Sequence, residues 1–209
     1  MARRTLPAEI YTREETNAVL AACSRRGVAG IRNRALIAVL YRCGLRIGEA
    51  LALKPADLDR ASGTVRVLRG KGGKARTVGI DAGALAIVEQ WLSKRAELGI
   101  RSGPLFCTFS ANSKGQLIDA SYVRHLLPRL RKKANVAKRV HAHGFRHTHA
   151  VELDREGVST RTIQGALGHS SVSTTNTYLQ HLEPREVVDA VRSRVWRQPT
   201  LEDVHKGEY

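Results

Sequence analysis

The stretch that decides the fold class is TVRVLRGKGGKARTVGI, residues 64–80. Apolar and polar residues alternate over 64–69 and again over 75–80, which predicts two strands. Gly70-Lys71-Gly72-Gly73 lies between them and predicts a tight turn, because glycine accepts the positive backbone angles that hairpin turns require. We therefore expect one antiparallel hairpin in this part of the chain.

Helical patterns lie on both sides of the hairpin. Apolar residues recur at helical spacing in a segment beginning at Thr12 and in residues 31–41, 46–53, 82–98, 121–136, 145–156 and 159–168, with a last pair at 174–181 and 184–196. Pro128 should kink or divide its helix, and a further short strand is expected at 105–109. The predicted class is α+β, mostly helical with one small antiparallel β-sheet.

The charge of the chain indicates its partner. The 209 residues include 35 Lys and Arg against 19 Asp and Glu, which gives a net charge of +16. A globular domain this basic is expected to bind a polyanion, most commonly nucleic acid, rather than a small molecule. A basic protein without any catalytic chemistry has the same composition, so charge alone leaves that alternative open.

Three scattered cysteines, Cys23, Cys43 and Cys107, argue against a disulfide framework and against a cysteine zinc site. The first nine residues lack the apolar stretch of a signal peptide, and no segment has 18 consecutive apolar residues. These features predict a cytoplasmic protein, associated with the nucleoid if its partner is DNA, and no membrane partner.

Six residues, in chain order, supply what phosphodiester transfer to a side chain needs in the absence of a metal. Such a reaction needs a hydroxyl nucleophile, fixed cations for the non-bridging oxygens and a proton donor for the leaving oxygen. The candidates are Arg46, Lys71, His143, Arg146, His169 and Tyr178. We expect neither a cofactor nor a metal ion.

Four motifs around these residues resemble the tyrosine recombinase (phage integrase) family. The first arginine motif is residues 44–51, GLRIGEAL, and the family's β-turn lysine matches residues 70–76, GKGGKAR. Residues 143–148, HGFRHT, resemble the H-x-x-R motif, with Phe145 where leucine is usual. Residues 167–171, LGHSS, followed by Tyr178, resemble the segment that holds the last histidine and the nucleophile.

The resemblance implies a role for each candidate. Arg46 and Arg146 would hold the non-bridging oxygens, Lys71 would protonate the 5′ oxygen, and His143 would assist proton removal from the tyrosine. His169 would hydrogen-bond the phosphate, Glu49 would orient the site, and Tyr178 would attack to form a 3′-phosphotyrosine. The implied activity is site-specific recombination by a homo-tetramer on double-stranded DNA with paired half-sites.

Each assignment has a simpler alternative. Arg46 and Glu49 also fit an ordinary exposed i,i+3 ion pair, and Lys74 is a rival to Lys71. Tyr178 also fits a core aromatic, which is the interpretation favoured for Tyr11, Tyr41 and Tyr122. His143 and His147 have the spacing of a helical zinc pair, although the sequence lacks an H-E-x-x-H motif.

The resemblance runs from about Thr12 to Leu182, so we assign residues 1–182 to the catalytic domain and 183–209 to a C-terminal helix and tail. That helix is expected to dock on a neighbouring protomer. The 209 residues contain no candidate for the separate DNA-binding domain of many relatives, which fits either a catalytic-only recombinase or a piece of a longer integrase. A type IB topoisomerase and a catalytically silent DNA-binding relative are the alternative functions.

Overall fold

The structure, a computed structural model, describes residues 9–68 and 75–168. Those residues form helices α1 (Arg13–Ala22), α2 (Val28–Arg42), α3 (Ile47–Ala52), α4 (Ala82–Glu97), α5 (Ala120–Lys133), α6 (Ala142–Arg155) and α7 (Thr160–Leu167). The strands are β1 (Leu58–Asp59), β2 (Thr64–Val67) and β3 (Arg76–Gly79). The predicted α+β class, mostly helical with one small antiparallel sheet, is confirmed.

The sheet is a three-stranded antiparallel meander in the order β1-β2-β3. Val65 pairs with Val78, and the valines at 65, 67 and 78 are buried, which is the alternation that predicted the hairpin. The structure adds β1, which pairs Leu58 with Val65. Two residues are too short to show a period, so the sequence could not have indicated this strand.

Helix α2 forms the centre of the core. It packs against α4 and α6, and Leu36, Ile37 and Leu40 have no exposed surface. Trp91 of α4 is also fully buried, and its indole N–H donates to the carbonyl of Leu105 at 2.8 Å. Buried indoles require such a partner, so this bond fixes the loop after α4 against the core.

Helix α5 is continuous through Pro128, so of the two outcomes predicted at that residue, a kink or a division, the division is wrong. Proline removes one N–H donor from the helix. Leu126, Leu127 and Leu130 are buried on the two sides of Pro128 and hold both halves of the helix against the core. Their burial offsets the missing hydrogen bond.

The strand predicted at 105–109 is also wrong. Cys107 makes a single antiparallel bridge with Leu117 and no regular strand forms there. The Leu105 N–H donates to the carbonyl of Leu53, and the Cys107 carbonyl accepts from the Arg32 guanidinium. Backbone groups used in this way are not available to a strand ladder.

Helix α6 begins at Ala142, three residues before the predicted start, because His141 caps it. The Nδ1 atom of His141 accepts a hydrogen bond from the Gly144 N–H at 3.0 Å. Histidine is not among the residues that usually cap helices, so the sequence did not indicate this start. His143 and Arg146 therefore both lie in the first two turns of α6.

The predicted helical segment 159–168 corresponds to α7, in which the Ser159 hydroxyl accepts from the Thr162 N–H and Gly168 ends the helix with φ +63°. All three cysteines are buried and free. Within the described ranges, no helix has both the length and the apolar character needed to cross a membrane.

Candidate active site

Arg46 and Glu49 form the first part of the site, at the start of α3. Arg46 is the residue that precedes the helix, and its backbone N–H donates to Glu49 Oε2 at 2.9 Å. Its Nη1 donates to Glu49 Oε1, also at 2.9 Å. The side chain of Glu49 is only 4% exposed, whereas that of Arg46 is 30% exposed. The pair is therefore not the ordinary surface ion pair that the sequence left as an alternative.

Arg76 of β3 is a second cation on the same carboxylate. Its Nη1 and Nη2 atoms donate to the two oxygens of Glu49 at 3.1 and 2.8 Å. Burial raises the pKa of Glu49, but the hydrogen bonds from Arg76 and Arg46 outweigh it and lower the pKa to about 2. Glu49 is therefore ionised at neutral pH and orients both guanidinium groups.

Arg146 of α6 is almost completely buried, with 1% of its surface exposed. Its Nη1 donates to the carbonyl of Gly44 at 2.7 Å, and its Nη2 donates to the carbonyl of Leu167 at 2.5 Å. The next carbonyl along the chain, that of Gly168, accepts from Arg46 Nη2 at 3.4 Å. The structure thus brings Arg46 and Arg146 together at the C-terminal end of α7.

His143 lies beside these cations on the first turn of α6. Although His143 is exposed at the surface, desolvation by its neighbours, followed by the positive charges of Arg146, His141 and Arg46, lowers its pKa. Its ring meets that of His147 edge to face, with centroids 4.4 Å apart. A neutral imidazole can accept a proton, which is the role that the sequence resemblance implied for His143.

Half of the six candidates can be located in this structure. Arg46, His143 and Arg146 lie around the end of α7, whereas Lys71, His169 and Tyr178 lie outside the described residues. So do Lys74, the predicted helices at 174–181 and 184–196, and the boundary at 182. Residue 169 follows the last described residue.

The rival aromatic and metal interpretations can be compared with the structure. Tyr11 and Tyr41 are buried in the core and Tyr122 packs against it, as predicted. Among residues 9–68 and 75–168, no group of three or more His, Cys, Asp or Glu side chains is arranged to hold a metal ion. His141, one of the clustered histidines, uses Nδ1 as a helix cap.

Two contacts of the site were not indicated by the sequence. Arg76 lies within residues 70–76, and the pairing of Val67 with Arg76 places it at the end of the hairpin ladder. Tyr11 packs beneath Gly144 so closely that a Cβ there would lie 2.0 Å from the tyrosine oxygen. Both contacts join residues that are separated along the chain, and local sequence patterns do not predict such contacts.

Known proteins with the same features were found by sequence and by structure. The Phage integrase family profile matches residues 9–185. The tyrosine recombinase XerC of Myxococcus xanthus is 38% identical over 183 residues, which cover 85% of this chain and 59% of the relative. XerC of Listeria welshimeri is 35% identical over 71% of this chain and 49% of the relative. The chain thus spans about half to three-fifths of the length of these relatives.

Two solved structures have the same fold. The XerA recombinase superposes with a TM-score of 0.76 at 29% identity, covering 93% of this chain and 67% of that one. The XerH site-specific recombinase, in a post-cleavage complex with a palindromic difH substrate, gives 0.73 at 27% identity, covering 90% and 54%. With the profile match over most of its length, this chain belongs to the phage integrase family of tyrosine recombinases.

Proposed function

We propose that this chain is the catalytic region of a site-specific DNA recombinase that cuts and rejoins strands through a 3′-phosphotyrosine at Tyr178, without metal or ATP. The observation that carries the proposal is the convergence of Arg46 and Arg146 on the successive carbonyls of Gly168 and Leu167. Two cations fixed at one point are what a phosphodiester in transfer requires. His169 follows that point directly in the chain.

The two arginines contribute in different ways. Arg46 is partly exposed, so its guanidinium would donate directly to a non-bridging oxygen. Arg146 is buried, where its charge acts through a low dielectric and is weakly screened. Both of its Nη atoms bind carbonyls, so direct contact with phosphate requires that one of those bonds be exchanged for a phosphate oxygen.

The remaining roles complete a balanced transfer. The Tyr178 hydroxyl loses its proton to neutral His143 while its oxygen attacks phosphorus, and the bond to the 5′ oxygen breaks. Lys71 gives a proton to that 5′ oxygen, and His169 hydrogen-bonds the phosphate. The reverse sequence rejoins the strand. Because the phosphodiester bond is exchanged for a phosphotyrosine bond, no ATP is consumed.

The proposed partner is duplex DNA with paired half-sites, held by a homo-tetramer in the nucleoid of the cytoplasm. The net charge of +16 supports a DNA partner. So does the similarity to the XerH recombinase, whose solved complex contains a DNA substrate. The tail, residues 183–209, is proposed to dock on the neighbouring protomer and to link each tyrosine to assembly.

Covalent capture on randomised DNA tests the proposal and selects the target site at the same time. Nicked duplexes with randomised sequence are incubated with the protein in excess EDTA, and denaturant-resistant adducts are recovered and sequenced. The wild-type chain should form an adduct, because the cleaved strand end diffuses away and prevents rejoining. Tyr178→Phe should bind the recovered duplex with unchanged affinity and form no adduct, whereas the matched control Tyr122→Phe should still form it.

Two results would overturn the proposal. One is an adduct formed by Tyr178→Phe, which would assign the nucleophile elsewhere. The other is relaxation of supercoiled plasmid with no strand exchange between two recovered sites, which would indicate a type IB topoisomerase instead.

A further inference from the structure

Arg76 is anchored at three points, each in a different segment of the chain. Its own backbone lies on β3, the strand that pairs with β2. Its Nη1 and Nη2 atoms bind both oxygens of Glu49 on α3. Its Nε donates to the carbonyl of Ala166 in the last turn of α7 at 2.8 Å.

The surroundings of Arg76 leave little freedom for its guanidinium. Its side chain is 10% exposed and that of Glu49 is 4% exposed. On the other side lies Gly168, where an added Cβ would approach the Arg76 Nη1 atom to 3.1 Å and Cζ to 3.2 Å. A guanidinium confined between a buried carboxylate and a glycine backbone has one available position.

The contacts of Glu49 carry this constraint to Arg46. Oε1 of Glu49 accepts from both Arg76 Nη1 and Arg46 Nη1, and Oε2 accepts from both Arg76 Nη2 and the Arg46 backbone N–H. The carboxylate plane is therefore set by Arg76, and Arg46 aligns on that plane. Without Arg76, Glu49 could rotate and Arg46 would follow it.

From these contacts we infer that Arg76 is a positioning residue for strand cleavage: it locks Glu49, and through Glu49 the guanidinium of Arg46, against the end of α7. The inference rests on the proposed function and deepens it. The Nε, Nη1 and Nη2 atoms of Arg76 each donate to a protein oxygen, so we do not assign Arg76 to phosphate binding. Its effect is on the rate of transfer at saturating DNA, and not on DNA affinity.

Lysine cannot replace arginine in this position. An ammonium has no planar fork, so it cannot bind both carboxylate oxygens and a backbone carbonyl from one rigid group. Arg76→Lys keeps the positive charge and removes the geometry, which makes it the informative substitution. A misplacement of about 1 Å at a reacting group lowers the rate by roughly 100-fold, so we expect a loss of about 10- to 100-fold.

The test is single-turnover cleavage of the recovered nicked duplex, with the dissociation constant measured in parallel. Arg76→Lys should lower the saturating rate and leave the dissociation constant within about twofold of the wild-type value. The matched control is Arg66→Lys on β2, an exposed arginine that donates to the carbonyl of Ala56 and lies outside the site. Arg66→Lys should react at the wild-type rate.

A double mutant separates positioning from general loss of structure. If Arg76 acts through Glu49, then Arg76→Lys combined with Glu49→Gln should be no slower than the slower of the two single variants. Additive losses would overturn the inference, since they show independent roles. Thermal unfolding of each variant establishes that the compared proteins are folded at the assay temperature.

The remaining outcomes are also decisive. A wild-type rate for Arg76→Lys would overturn this inference and leave the proposed function standing. An increased dissociation constant with an unchanged saturating rate would do the same. Absence of any adduct from the wild-type protein would overturn the proposed function, and this inference with it.

Discussion

Within residues 9–68 and 75–168, two arginine–carboxylate networks join distant segments of the chain, and they have opposite charge ratios. At the end of α7, Arg46 and Arg76 both pair with one carboxylate, that of Glu49. Between α2, α4 and α6, the single cation Arg42 pairs with two carboxylates, Asp81 at 2.6 Å and Glu152 at 3.0 Å. The first network has an excess of positive charge, and the second has an excess of negative charge.

The networks also differ in burial. Glu49 is 4% exposed, whereas Asp81 and Glu152 are 43% and 21% exposed. The Arg42 network is partly exposed, and in it the Tyr41 hydroxyl also donates to Glu152. A buried network with surplus cations is costly unless an anion joins it. The comparison therefore supports the proposal that a phosphate binds at the end of α7.

The largest expected difference between the networks is in stability. Glu49→Gln leaves Arg46 and Arg76 without the charge that both face, and breaking such a buried pair should lower the free energy of unfolding by about 3 kcal/mol. Glu152→Gln, in the more exposed network, should lower it by less than about 1 kcal/mol. Urea unfolding of the two variants against the wild type measures both values. Equal losses would contradict the distinction drawn between the networks.

A pH-dependent effect is expected from His149, which lies within reach of the charges of Arg42 in the second network and of Arg146. It packs against Gly44, where an added Cβ would lie 2.5 Å from the imidazole. Burial, followed by the charges of Arg42 and Arg146, lowers the pKa of His149 from 6.5 to about 4, despite the opposing effect of Asp81. Between those values the unfolded chain binds a proton that the folded chain does not bind. The free energy of unfolding therefore falls as the pH falls from 6.5 to 4, by at most about 3 kcal/mol.

Replacing His149 tests that assignment. His149→Gln should flatten the dependence of unfolding free energy on pH in this window. If His149→Gln keeps the wild-type dependence of unfolding free energy on pH, that result contradicts the lowered pKa of His149.

Local patterns in the sequence predicted much of the fold. The alternation around residues 64–80 predicted the hairpin, and helical spacing predicted segments 145–156 and 159–168, which correspond to α6 and α7. The sequence failed where long-range contacts outweigh local preference. Buried leucines on both sides of Pro128 hold α5 continuous, and His141 starts α6 earlier than its pattern indicated.

Only part of the candidate site could be predicted from the sequence, for the same reason. The motifs predicted that Arg46, His143 and Arg146 belong to one site, and the structure places them around the end of α7. The burial of Arg146 and the double contact of Arg76 with Glu49 depend on how separate elements pack. No spacing within one motif reports these features.

The surplus positive charge at the end of α7 is expected to offset the charge of the phosphate undergoing transfer. Single-turnover cleavage can be compared on a normal duplex and on one whose scissile phosphate is an uncharged methylphosphonate. Arg46→Ala should be severely slowed on the phosphate, by roughly 100- to 1,000-fold, and should regain most of that loss on the methylphosphonate. Arg42→Ala, in the other network, should follow the wild type on both. An Arg46→Ala defect of equal size on the two duplexes would contradict this central claim.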